Sequence, residues 1–132
     1  MIGVDSNVLL RLFTRDDLEQ AAVAARYLSE RTESDPAFVS AVVICELVWV
    51  LQKSYGYSDT KVHEALDSLF QSANVVIENA ELLDRAISEA RKQQAGIADC
   101  IIAALAAEAG ATKTVTFDQT TAKRVPSMEL LP

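Results

Sequence analysis

Short apolar runs alternating with helix-length segments predict an α/β fold: a three-layer α/β/α sandwich with a central, mostly parallel sheet of four to five short strands. Two observations carry this. The strand candidates are too short and too apolar to be a solvent-facing antiparallel meander, and most of them are separated by segments whose apolar residues recur at helical spacing. The 132 residues are one domain's worth, enough to bury a core without a disulfide or structural metal. A single domain over residues 1–132 is expected, since no repeat, linker or low-complexity tract interrupts the chain.

The first strand is Ile2-Gly3-Val4, which ends on Asp5. Ser6-Asn7 then leads into a short helix from Val8 to Thr14. Asp16-Asp17 opens a second helix through Leu18, Ala21, Ala22, Ala25 and Leu28, with acids in the first turn where the helix dipole favours them. Ser34-Asp35-Pro36 is a turn, and Ala37-Phe38-Val39 is the second strand. Ser40 caps a strongly apolar helix from Ala41 to about Lys53, closed by Tyr55-Gly56-Tyr57. Ser58 or Asp59 starts the next, with Val62, Ala65, Leu66, Leu69 and Phe70 at helical spacing, which leaves His63 on an expected surface face. Asn74-Val75-Val76-Ile77 is the third strand, and Asn79 or Glu81 opens a helix through Leu82, Leu83, Ala86, Ile87 and Ala90. Gly96 breaks the pattern before a nearly all-apolar helix, Ile97 to Ala109, ended by Gly110. Thr114-Val115-Thr116-Phe117 is a strand running into Asp118, and Met128-Glu129-Leu130 is the last.

Composition narrows the function. A formal charge of −7 argues against broad, non-specific nucleic-acid binding, which depends on a basic surface. It leaves a nuclease open, because a carboxylate site for cations adds negative charge that bound ions reverse. No apolar run approaches a membrane span and no basic leader precedes the first strand, so a cytoplasmic protein is expected. Cys45 and Cys100 form no C-x-x-C pair, and His63 is the only imidazole. Zinc and Cys/His or Ser/His nucleophilic chemistry are therefore disfavoured, and the cysteines read as buried packing.

Four acids remain. Asp5 and Asp118 end strands, at the sheet edge where open α/β proteins bind ligands. Glu46 lies two turns into a helix among Val42, Val43, Cys45, Leu47, Val48 and Trp49. Asp99 lies early in another, among Ile97, Ala98, Cys100, Ile101 and Ile102. Each has an ordinary explanation: Asp5 or Ser6 capping the next helix, Asp99 complementing a helix dipole, Asp118 capping a helix from Gln119. Glu46 fits that explanation least, because its helix shows almost no polar face and an ionised carboxylate is costly to bury unpaired. Together the four favour a cluster. Like charges about 4 Å apart repel by roughly 4 kcal/mol at an effective dielectric near 20, so such a cluster needs protons or metal ions. Oxygen ligands without His or Cys select hard cations, Mg²⁺ or Mn²⁺.

The chain resembles PIN-domain ribonucleases, and more closely the VapC-type toxins of bacterial toxin–antitoxin pairs. The resemblance rests on Asp5-Ser6-Asn7-Val8-Leu9-Leu10-Arg11, Glu46-Leu47-Val48-Trp49-Val50-Leu51, Ile97-Ala98-Asp99-Cys100-Ile101-Ile102-Ala103-Ala104-Leu105, and Thr116-Phe117-Asp118 followed by Lys123-Arg124. Four motifs in the family's order span nearly the whole chain. The resemblance implies a PIN-like sheet, metal-site acids at Asp5, Glu46, Asp99 and Asp118, and supporting polar residues at Asn7 and Thr116. One departure is Gly96, where many relatives carry a further acid.

The implied activity is Mg²⁺-dependent endonucleolytic cleavage of RNA, with Mn²⁺ a possible substitute. Asp5 and Asp99 are the expected direct ligands. Asp118 completes the ligand set or holds a water of the ion, and Glu46 orients water or acts as base. Arg11, Arg15, Lys123 and Arg124 are candidate phosphate contacts. The implied partners are RNA, a cognate antitoxin and a second copy of the chain in a homodimer. Two other readings stand beside this one. Phosphatases of the haloacid-dehalogenase type also begin with an Asp ending strand one, but need a second Asp where Asn7 stands and a downstream Lys. A PIN-fold interaction module that has lost activity is the other, suggested by Gly96.

Overall fold

The computed structural model describes residues 1–132. It has five strands and seven helices in the order expected of an α/β chain. The chain divides into two compact units, Met1–Ala80 and Glu81–Pro132.

In the first unit β1 (Ile2–Gly3) leads through α1 (Ser6–Thr14) and α2 (Leu18–Ser29) to β2 (Ala37–Val39), and α3 (Ala41–Lys53) and α4 (Asp59–Gln71) lead on to β3 (Val75–Ile77). Both crossovers return the chain parallel, giving a three-stranded sheet ordered β1-β2-β3. The pairing sets Ile2 against Ala37 and Ala37 against Val75, so the strands' carboxyl ends share one edge. Ala37 and Val39 are fully buried, as are Ile44, Leu47 and Leu51 of α3 and Val62 of α4. Ser40 caps α3 by accepting the Val43 N–H at 3.2 Å, and Glu78 takes the Ala41 N–H at 2.8 Å. These two acceptors satisfy amides that the helix itself leaves open.

In the second unit α5 (Ala80–Gln93) and α6 (Ile97–Glu108) precede β4 (Thr114–Thr116), α7 (Gln119–Arg124) and β5 (Met128–Leu130). β4 and β5 pair in parallel, with Thr114 opposite Met128. Leu83, Ile87, Ile97, Cys100, Ile101, Val125 and Met128 are buried. The strands expected from sequence are all present and all parallel. They hydrogen-bond as a ladder of three and a ladder of two rather than as one.

Three local expectations change. Phe117 leaves the β4 ladder and is 76% exposed. His63, expected on a surface face, is buried: it directly follows fully buried Val62, at the margin of the apolar stripe of α4. Helix α1 starts at Ser6, two residues before Val8.

The turn between α1 and α2 is tied by Asp16. It accepts hydrogen bonds from the Tyr55 hydroxyl at 2.7 Å and the Thr14 hydroxyl at 3.0 Å, and pairs with Arg11 at 2.7 Å. The Tyr55 hydrogen bond first, then Thr14 and the Arg11 charge, hold its carboxyl below the ordinary range. A depressed folded pKa means that this contribution to stability is complete above the unfolded carboxyl's pKa and is lost as pH falls through the folded value. Urea midpoints should therefore drop as pH falls below the ordinary carboxyl range, and Tyr55→Phe should shrink that drop. An unchanged pH profile in Tyr55→Phe would refute the role of Asp16.

Candidate functional site

Asp5 follows buried Val4 at the carboxyl end of β1 and occupies the N-cap position of α1, with φ −76° and ψ 156°. Its side chain caps nothing. Instead it accepts the hydroxyl of buried Ser6 at 3.2 Å and stays exposed. The helix-cap explanation thus fails for Asp5, whose carboxylate is left facing solvent. Asn7, in the next position, is exposed and lines a cavity of about 610 Å³ between α1 and α2.

Glu46 lies on the outer face of α3. The sequence placed it on a helix with almost no wet face, and the structure corrects that: Glu46 is exposed between Val42, 74% exposed, and Trp49, 60% exposed. Apolar composition does not say which face of a helix is buried. Here the outward face is itself apolar, and the carboxylate bears no burial cost. Helix α1, which begins directly after Asp5, and α3, which carries Glu46, pack against each other within the first unit.

In the second unit Asp99 is the third residue of α6, and the helix's N-cap is Gly96, which has no side chain to offer. Half-buried, Asp99 receives the Thr121 hydroxyl on Oδ2 at 3.4 Å. Asp118 is the N-cap of α7, and its Oδ1 accepts the Thr121 N–H at 2.9 Å. The ordinary explanation therefore holds for Asp118, which caps a helix. The Thr121 amide is the main reason its carboxyl lies below the ordinary range, with the Thr120 amide adding to it. Thr116 accepts the Asp118 N–H on Oγ1 at 3.0 Å, closing the turn that presents the acid.

The basic candidates divide. Arg11 is engaged with Asp16 and with Gln20, the latter at 2.7 Å. Arg124 donates to the Gln94 carbonyl at 2.7 Å. Arg15 is exposed in the left-handed region at φ 53°, and Lys123 is exposed on α7. Arg11 and Arg124 thus already spend part of their guanidinium donors on internal partners.

The polar side chains at the acids are oxygen donors in each unit: Asp5, Ser6 and Glu46 in the first, and Asp99, Thr116, Asp118 and Thr121 in the second. Burial raises the Cys45 and Cys100 thiols, the latter further through the Asp99 charge, so both remain protonated at neutral pH. Oxygen donors of this kind suit a hard divalent cation better than a soft one. No group of three or more His, Cys, Asp or Glu side chains is gathered closely enough to hold a metal. Within the second unit, Asp99 and Asp118 share Thr121.

Sequence reading missed Ser6, Glu78 and Thr121 as partners. Ser6 and Thr121 had local signals, one adjacent to Asp5 and one three residues after a capping Asp. Glu78 directly follows β3, at the same sheet edge as Asp5.

Parallel strands whose carboxyl ends lead into exposed acids, Asp5 after β1 and Asp118 after β4, define an acid-bearing α/β chain. The family model of the PIN domain matches residues 2–126, and the chain belongs to that family. The chain is also similar to the crystal structure of Mycobacterium tuberculosis VapC20, described as a Sarcin-Ricin loop cleaving toxin, at 19% identity and a TM-score of 0.46. That match covers 93% of this chain and 94% of the other. No match is found among curated proteins.

Proposed function

We propose that this chain is a Mg²⁺-dependent endoribonuclease of the VapC type, the toxin of a type II toxin–antitoxin pair, acting in the cytoplasm as one PIN domain over residues 1–132. The observation that carries the reading is the family match over residues 2–126, with the four acids in the family's order inside it. A Mg²⁺ ion, or Mn²⁺ in its place, would neutralise charge developing on the phosphodiester and make water more acidic. Asp5 and Asp99 would hold the ion directly, Asp118 would complete the set or hold one of its waters, and Glu46 would orient water or serve as the base. Asn7 and Thr116 position these groups, and Thr116 already fixes the Asp118 amide. Exposed Arg15 and Lys123 are the basic residues best placed to meet phosphates without breaking an internal bond. Outward Val42 and Trp49 on α3 and Leu18, Val23 and Tyr27 on α2 supply apolar surface for a homodimer and an antitoxin.

The test is cleavage of total RNA and transfer RNA by the purified chain, with Mg²⁺ and with a chelator. Fragments with Mg²⁺ and none with the chelator are expected. Cleavage that survives chelation, or none under either condition, would overturn the proposal. Gly96 favours one second reading, an inactive interaction module, which requires the absence of any cation affinity that Asp99→Ala removes.

A further inference from the structure

Along α2, Gln20, Val23, Ala24 and Tyr27 recur at intervals of three and four, the spacing of one helical face. That face meets α1, against which α2 packs, but does not close on it. The cavity left between the two helices measures about 610 Å³, within the roughly 300–1,000 Å³ of small-molecule pockets. On the α1 side it is lined by Val8 and Arg11 and reaches Asn7, two residues after Asp5.

Val8 and Val23 give the cavity apolar walls, and Tyr27, 43% exposed, adds an aromatic one. The Tyr27 ring carries the Arg31 guanidinium at 4.4 Å, and Arg31 is itself held by Asp35 at 2.7 Å and by the Tyr27 carbonyl at 3.2 Å. The ring is therefore braced before any guest arrives. The polar lining selects further. Arg11 is engaged by Asp16 and by Gln20 Oε1, each at 2.7 Å, which leaves the Gln20 NH₂ as a donor. Asp17 is occupied in capping α2 through the Gln20 N–H at 3.0 Å, whereas the Glu19 carboxylate is exposed.

These features discriminate among guests. A phosphate would meet two carboxylates and an arginine that is already paired. A Lys or Arg side chain would satisfy the acids but has no acceptor for the Gln20 amide. A nucleobase with an exocyclic amine matches every wall: a flat face for Tyr27, an amine for Glu19, and a ring nitrogen or carbonyl for Gln20. Uracil has no amine and would set carbonyl oxygens against a carboxylate.

We infer that the cavity between α1 and α2 is a base-recognition pocket that takes an unpaired adenine, cytosine or guanine of the RNA beside the cleaved phosphodiester, reading its amine with Glu19 and stacking it on Tyr27. This rests on the ribonuclease reading above, and Asn7 is what joins the cavity to the Asp5 end of α1.

The experiment is an NMR titration of the isotope-labelled full chain, without metal, with adenosine, cytidine, uridine and N-acetylarginine amide in turn. Adenosine and cytidine should shift the backbone amides of Asn7, Gln20 and Tyr27 to saturation, and uridine should bind about tenfold more weakly. Glu19→Gln should remove that preference. Tyr27→Ala should weaken every nucleoside about fivefold or more while keeping it. Should Tyr27→Ala fail to fold, Tyr27→Leu removes the aromatic face at little cost in volume. Uridine bound as well as adenosine, an unchanged preference in Glu19→Gln, or full affinity in the Tyr27 variant overturns the inference. Saturation by N-acetylarginine amide alone overturns it in favour of a cationic protein segment. If wild type binds no nucleoside the inference also falls, and the ribonuclease reading stands, because its own test is cleavage and this titration reads binding without metal.

Discussion

Asp5→Asn will lower RNA cleavage by roughly 10³-fold while leaving the fold unchanged. Asp5 is exposed, and its side chain caps no helix amide. Asn is as good an N-cap residue as Asp, and its Oδ1 can still accept the Ser6 hydroxyl that now reaches Asp5 at 3.2 Å. Nothing in the packing around buried Val4 and Ser6 changes in size. On the proposed reading, what the amide cannot supply is the negative charge that would hold a hard cation, so the loss should fall on catalysis and on Mg²⁺ affinity together. Single-turnover cleavage of one RNA across a Mg²⁺ series measures both. Activity within about tenfold of wild type at every Mg²⁺ concentration would remove Asp5 from the site. A large drop in melting temperature would instead make it a structural residue.

The same stretch shows what could and could not be read without coordinates. Local signals served well: Ser40 as a cap and Tyr55-Gly56 as a stop bracket α3 at Ala41–Lys53, as expected, and β2, β5 and most of β3 fall where the apolar runs are. Direction was harder. Along α3 almost every residue is apolar, so no periodic contrast shows that Leu47 points inward and Val42, Glu46 and Trp49 outward. Partners distant in sequence were harder still. Thr121 meets Asp99 across 22 positions and Arg124 meets Gln94 across 30, and neither separation leaves a mark in pattern or propensity. For that reason Arg124 read as a free cation for phosphate, although it is tied to a backbone carbonyl. The positions of Asp5 and Asp118 after strands, of Asp99 early in a helix and of Glu46 in the middle of α3 were legible. Which of them also cap a helix was not, because Asp5 and Asp118 have the same local sequence signature and only Asp118 accepts a helix amide.

Leu47→Ala will destabilise the chain by about 3–4 kcal/mol, lowering the melting temperature by roughly 10–15 °C. Leu47 is fully buried beside Ile44 and Leu51, which are also fully buried on the same helix. Truncation removes methyl and methylene groups from a packed interior and leaves a cavity that the neighbours only partly fill. Its sequence neighbour Glu46 keeps its exposed position, so cleavage assayed well below the melting temperature should fall far less than in Asp5→Asn. Trp49→Ala is the matched control on the opposite face. With the side chain 60% exposed, its loss in an isolated chain should cost less than about 1 kcal/mol despite the larger volume removed. If Leu47→Ala costs less than Trp49→Ala at every protein concentration, α3 presents the other face to the core and the placement of Glu46 fails with it. If Trp49→Ala becomes costly only as protein concentration rises, the outward face of α3 is covered by a second copy of the chain, because association stabilises the folded state by mass action.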